Sequence, residues 1–135
     1  RTKSGYAVIG DTQFLPGYCV LLAYPQVNNI NELSLEMRAQ FLTDMTIIGD
    51  AITAVYQPRR INYSILGNTD EFLHAHIFPR YNWEDKEKIK YPVWLYPKEN
   101  WTNREYYFEN EKYKKNIDAL KKKLHEFISS RTNQE

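Results

Sequence analysis

The spacing of apolar positions changes along the chain, and each change predicts an element. Gly5 to Asp11 (GYAVIGD) is a short apolar run closed by Gly-Asp, and Tyr18 to Tyr24 (YCVLLAY) is a nearly unbroken one stopped by Pro25. Between them stands Phe14-Leu15-Pro16-Gly17. Pro-Gly marks a turn, so the two runs predict strands of an antiparallel hairpin. Ser34 is placed to cap a helix, with Glu36 favoured in its first turn. Phe41, Met45, Ile48, Ile52 and Val55 then form one stripe of an amphipathic helix, which Pro58 ends. Ile61, Tyr63 and Ile65 alternate with Asn62, Ser64 and Leu66, a strand pattern. Gly67-Asn68-Thr69-Asp70 is a turn by composition, and Phe72 to Phe78 is the next strand, its extension limited by Pro79. These two runs predict a second hairpin.

Asn82 to Lys90 is charged and polar, and Tyr91 to Pro97 (YPVWLYP) is too apolar for a free linker. Its prolines predict an extended segment lying over the body of the domain or against a partner subunit. Tyr113, Ile117, Leu120, Leu124, Phe127 and Ile128 mark a second amphipathic helix ending near Ser130. The Lys121-Lys122-Lys123 run reads as its solvated face, with His125 structural or facing solvent. Adjacent hairpins plus two helices predict an α+β fold with a mainly antiparallel sheet.

Composition narrows the partners. The 135 residues are enough for one domain with a real core. Net charge is +1, so no overall field favours nucleic acid or an anionic membrane. No apolar run approaches the roughly 20 residues that span a bilayer, and no signal peptide is recognisable at the start. Opening on Arg1 rather than methionine carries the expectation of a trimmed N-terminus. The lone Cys19 lies in an apolar run (CVLLA), where it reads as a buried small hydrophobe and fits a reducing, cytoplasmic setting.

The chain has three histidines, and two stand one residue apart in FLHAHIFPRY, Phe72 to Tyr81. Alternation puts Phe72, His74, His76, Phe78 and Arg80 on one face of a strand and Leu73, Ala75 and Ile77 on the other. Neutral imidazole is a nucleophile near pH 7, and a second imidazole beside it can donate to a phosphate oxygen or a leaving group. Arg80 is suited to bidentate anion contact, and Gly67-Asn68 offers a flexible backbone with an amide donor. His74, His76, Asn68 and Arg80 thus make a phosphate-handling set. Two structural histidines with satisfied hydrogen bonds, or a metal-ligand pair lacking an obvious further ligand, fit the same pattern.

LHAHIFPRY resembles the signature of the histidine triad (HIT) superfamily, in which His-x-His-x-His is followed by apolar residues and often Pro-Arg. GYAVIGDTQFLPGYCVLLAYPQ resembles the family's opening hairpin, LSLEMRAQFLTDM the helix after it, and INYSILGNTDEF the strand and turn before the signature. Together these cover roughly residues 5 to 81, the core of a single HIT-like domain, leaving 82–135 as a C-terminal extension and helix. The similarity is strongest to bacterial HIT-like or dinucleoside polyphosphate hydrolase-like proteins.

The resemblance implies a homodimer that binds nucleotides and transfers or hydrolyses nucleotidyl groups. Aligned on Pro-Arg, His74 is the middle histidine, which attacks the α-phosphorus, and His76 is the last. The first falls on Phe72, and Tyr18 stands where members often carry a histidine. Asp11 is the expected acceptor for ribose hydroxyls, and Asn68 and Arg80 the expected contacts to phosphate or the distal substrate. Phe14 and Leu15 would wall a base pocket or pack in the core. No resident cofactor is implied, though magnesium can accompany a polyphosphate through its own oxygens. A nucleotide sensor without turnover, or a protein-interaction module built on YPVWLYP, are the alternatives.

Overall fold

Two hairpins lie side by side in one sheet. In the computed structural model, which describes residues 1–132, β1 (Gly5–Ile9), β2 (Cys19–Ala23), β3 (Arg60–Ser64) and β4 (His74–Arg80) are ordered β1-β2-β4-β3. Every neighbouring pair is antiparallel. The two histidines therefore sit on a central strand. Val20 of β2 and Ser64 of β3 flank His76, while His74 pairs with Leu22 of β2.

The first hairpin turns through Pro16-Gly17, and Gly17 adopts φ 100°, a left-handed backbone that favours glycine. Gln13 holds this loop together. Its amide NH₂ donates to the carbonyls of Gly10 and Tyr18, and its Oε1 accepts from the Gly17 N–H, all at 2.9–3.0 Å.

The long helix α1 (Leu35–Tyr56) starts where the Ser34 hydroxyl accepts from the Met37 N–H. It stops at Gln57, whose left-handed backbone precedes Pro58. Phe41, Met45, Ile48 and Ile52 bury the expected stripe against Leu21, Ala75 and Ile77 of the sheet. Burial of each such side chain stabilises the fold by about 1.5–3 kcal/mol. Cys19 lies in this core, where burial pushes its thiol up to about 12. Leu120 of the last helix, α3 (Asn110–Thr132), closes the cluster. Lys121, Lys122 and His125 on α3 are exposed.

The histidine face of the sheet is covered as well. Phe14, Leu15, Tyr18, Phe78, Tyr81 and Val93 form a second core, with Tyr96, Trp101 and Tyr106 packed around it. Phe14 and Leu15 are thus core residues, and the Tyr96 and Trp101 rings pack against Phe14. The chain after β4 supplies that cover. It runs through short 3₁₀ turns at Lys88–Lys90 and Val93–Leu95, the short helix α2 (Lys98–Thr102) and a further turn at Arg104–Tyr106. It is more helical than the prolines of Tyr91 to Pro97 suggest. It is anchored at the far end, where the Gln13 N–H donates to Tyr106 O at 2.6 Å and the Phe108 N–H to Asp11 O at 2.9 Å.

Strand β4 starts at His74 rather than Phe72 and runs through Pro79 to Arg80. Arg80 O accepts from the Arg59 N–H on the β3 side, so the nitrogen of Pro79 faces the opposite side. There β2 pairing has already ended, at Cys19 opposite Ile77. No ladder bond is lost, and the proline is tolerated as on an edge strand. Helix α3 runs two residues past the expected end at Ser130. Residues 133–135 of the expected domain lie outside the described residues.

Candidate functional site

The two imidazoles project from one face of β4 with ring centroids 4.8 Å apart, edge to face at 75°. His74 Nδ1 lies 2.7 Å from the Phe72 carbonyl oxygen. A carbonyl only accepts, so Nδ1 carries the hydrogen, and in the neutral ring the lone pair is left on Nε2. Among the described residues nothing bonds to Nε2, and the only sealed, unpartnered side-chain polar atom there is Thr12 Oγ1. His74 is largely buried, yet that nitrogen still touches solvent.

A cleft of about 180 Å³ opens beside His74. Asn28, Asn29 and Asn31 line one side, and Gly67, Phe72 and His74 the other. Asn68 follows Gly67 in the turn and is exposed. The cleft's lining carries amides and backbone but no Lys, Arg, Asp or Glu.

His76 is held between aromatic rings. Its Nδ1 lies 2.6 Å from the Tyr18 hydroxyl. The Tyr18 ring stacks on Phe78 at 3.9 Å and 7°. Gly10 makes room for that ring, since a β-carbon there would fall 2.0 Å from Tyr18 Cδ1. Trp94 meets His76 edge-on at 4.8 Å and 82°, and stacks on Trp101 at 5.3 Å and 8°. Burial, together with His74 alongside, lowers the His76 pKa from 6.5 to about 4, with Asp70 opposing weakly. His76 is therefore neutral near pH 7. Burial holds the Tyr18 phenol well above its ordinary range, and Asp11 adds to the effect.

Arg80 does not reach this site. It is buried and shares a face with His76, but Glu84 takes its Nε and Nη2 at 2.9–3.1 Å. Asn62 Oδ1 and the carbonyls of Tyr91 and Lys88 take the remaining donors. With all five N–H groups occupied, none is left for a phosphate. Glu84 also accepts from the Tyr96 hydroxyl and the Tyr81 N–H. The guanidinium anchors the covering segment rather than a ligand. Asp11 lies beyond β1 with an exposed side chain, close enough to Tyr18 to act on it electrostatically.

Sequence reasoning passed over Gln13, Glu84, Trp94 and the three asparagines. Only Trp94 carried a signal, as part of a run too apolar for a linker. Among the described residues no group of three His, Cys, Asp or Glu is arranged to hold a metal ion.

Neither a protein-family model nor a curated protein matches the sequence. Solved structures do. A histidine triad protein from Bradyrhizobium japonicum superposes with a TM-score of 0.76 at 20% identity, covering 92% of this chain and 87% of that one. The chain has the histidine triad fold. A histidine triad (HIT) protein from Sinorhizobium meliloti 1021 gives a TM-score of 0.71 at 15% identity, with 87% and 81% covered. A protein from Sulfolobus tokodaii strain7, described as a hypothetical histidine triad nucleotide-binding protein, gives 0.68 at 14%, with 93% and 81% covered. The histidine triad fold thus extends over the chain after β4 as well as the 5–81 core that the sequence motifs marked. On β4 it carries His74 and His76, with Phe72 two residues before them.

Proposed function

We propose that this chain binds a nucleotide and cleaves a nucleoside or dinucleoside (poly)phosphate through a nucleotidyl group carried on His74. The observation that carries the reading is the Nδ1 to Phe72 carbonyl contact at 2.7 Å, which directs the lone pair onto Nε2. That nitrogen attacks the α-phosphorus, the phosphorus–oxygen bond to the leaving group breaks, and the leaving group departs with the electron pair. Water then attacks the phosphorus, gives up a proton, and returns the electron pair of the phosphorus–nitrogen bond to His74. Holding nucleophile and phosphorus in line supplies most of the acceleration in such transfers.

His76, whose ring meets that of His74 edge to face at 4.8 Å, is assigned to bind a phosphate oxygen or assist the leaving group. Gly67 lines the cleft from the turn, Asn68 beside it is the candidate phosphate contact, and Asp11 is the candidate acceptor for ribose hydroxyls. Arg80 has no part in this scheme. Magnesium enters only as a companion of a polyphosphate substrate. Assembly as a homodimer belongs to the same reading. No described helix is long and apolar enough to cross a membrane. The Sulfolobus protein described as nucleotide-binding shares the fold and supports the choice of ligand class.

A nucleotide-binding protein without turnover is the second reading. It is favoured by the engagement of Arg80, since no guanidinium is left there to take up charge on the transferring phosphoryl group. A panel of nucleoside phosphates, dinucleoside polyphosphates and nucleoside phosphoramidates, followed by phosphorus NMR, separates the two. The hydrolase reading predicts mononucleotide released by the wild type and none by His74→Ala. Equal turnover by both proteins rules out His74 as nucleophile, and tight binding without release favours the second reading.

A further inference from the structure

We propose that Tyr18 is a positioning residue, whose hydroxyl donates to His76 Nδ1 and keeps the hydrogen of the neutral ring on Nε2. The inference rests on the nucleotide-handling reading for its consequence but on geometry for its substance. The two atoms are 2.6 Å apart, and no other polar group contacts the Tyr18 hydroxyl among the described residues. If Nδ1 were the donor, the phenol O–H would be left without an acceptor in a buried setting, and a buried donor without a partner is destabilising. The bare nitrogen of imidazole is also a better acceptor than a phenol oxygen, and a phenol is a better donor than a neutral ring N–H.

The surroundings hold both groups uncharged. The titratable groups facing His76 are His74 on its own strand, Asp70 from the turn before it and Tyr18 from the first hairpin. Trp94, Val20 and Ser64, which meet it from the other elements, do not titrate. Tyr18 is buried with Asp11 nearby, which keeps its phenol protonated and able to donate. Gly10 and Phe78 fix the ring that carries the hydroxyl.

The two rings are thus opposite tautomers. The Phe72 carbonyl leaves His74 bare at Nε2, and Tyr18 leaves His76 protonated at Nε2. One presents a lone pair and the other a donor, as transfer from an oxygen leaving group requires.

Long-range proton–nitrogen correlation spectra of the full chain, followed across pH for wild type and Tyr18→Phe, test this. The wild type should show His76 protonated at Nε2 near neutral pH. An accepted bond at Nδ1 exists only in the neutral ring, so deleting the hydroxyl should raise the His76 pKa, by about half to one pH unit. A His76 ring protonated at Nδ1, or a pKa that falls or stays in place in Tyr18→Phe, overturns the proposal. Should the variant not fold, the wild-type tautomer decides alone. These readouts do not depend on turnover, so a chain with the expected tautomer and no hydrolysis would refute the hydrolase and leave the Tyr18 assignment standing. Where turnover exists, Tyr18→Phe should lower kcat about tenfold with KM unchanged, less than the ~10²-fold or more expected when a proton-transfer group is removed outright.

Discussion

His74 Nδ1 donates to the carbonyl of Phe72, two residues back along the chain, and this one bond decides which nitrogen keeps the lone pair. The acceptor is main chain, so any residue at position 72 supplies it. The orientation of the His74 ring therefore does not depend on which side chain stands at position 72.

Phe72→Leu should retain turnover within a few-fold of wild type in a steady-state assay. Its cost should fall on stability, through the 4.7 Å ring contact with His74, a pair worth about 0.5–1.5 kcal/mol. Loss of turnover in a stably folded variant would show that the Phe72 side chain acts in the chemistry.

Arg80 and Glu84 form a buried pair whose side chains are 4% and 0% exposed. Removing either partner strands the other charge, so Arg80→Ala and Glu84→Ala should each lower unfolding free energy by about 3–5 kcal/mol in urea denaturation. Arg80→Lys should also destabilise, because an ammonium cannot fill five fixed donor positions. Wild-type stability with loss of nucleotide affinity would return Arg80 to the ligand.

The depressed His76 pKa makes stability depend on pH in a defined window. Between the ordinary value of 6.5 and about 4, the unfolded chain binds a proton at His76 that the folded chain refuses. The contribution of the neutral ring is whole above pH 6.5 and declines as pH falls toward 4. Thermal melts should drop over that range more steeply for wild type than for His76→Gln. Parallel declines would show that the folded ring titrates normally.

Trp94 meets His76 edge-on while 38% of its own surface stays exposed. A nucleotide seated against the histidines should change its environment. Tryptophan emission should shift or quench on binding, and Trp94→Phe should remove most of that change while the affinity falls less than tenfold. An unchanged signal in the variant would place the ligand away from this wall.

Much of this was legible in the residues. The His-x-His alternation put both imidazoles on one side of β4 and Ala75 and Ile77 on the side that packs against α1. Pro16-Gly17 and the turn before Glu71 located both hairpins. Arg80 was misread because a side chain's partner depends on tertiary folding: Glu84 was visible four residues on, but the carbonyls of Tyr91 and Lys88 come from a segment whose path no local pattern sets. The same holds for Trp94 and for the asparagine side of the cleft. Pro79 looked like a terminator because a proline's cost depends on which strands flank it, and β2 ends just short of it.

The central claim is a bare Nε2 on His74 that forms a bond to phosphorus. Rapid acid-free denaturation during turnover of a dinucleoside polyphosphate or a phosphoramidate, followed by peptide mass spectrometry, tests it directly. A nucleotidyl mass on the peptide carrying His74, absent in His74→Ala, is the predicted result. Steady product release from His74→Ala at the wild-type rate, with no adduct on either protein, would contradict it.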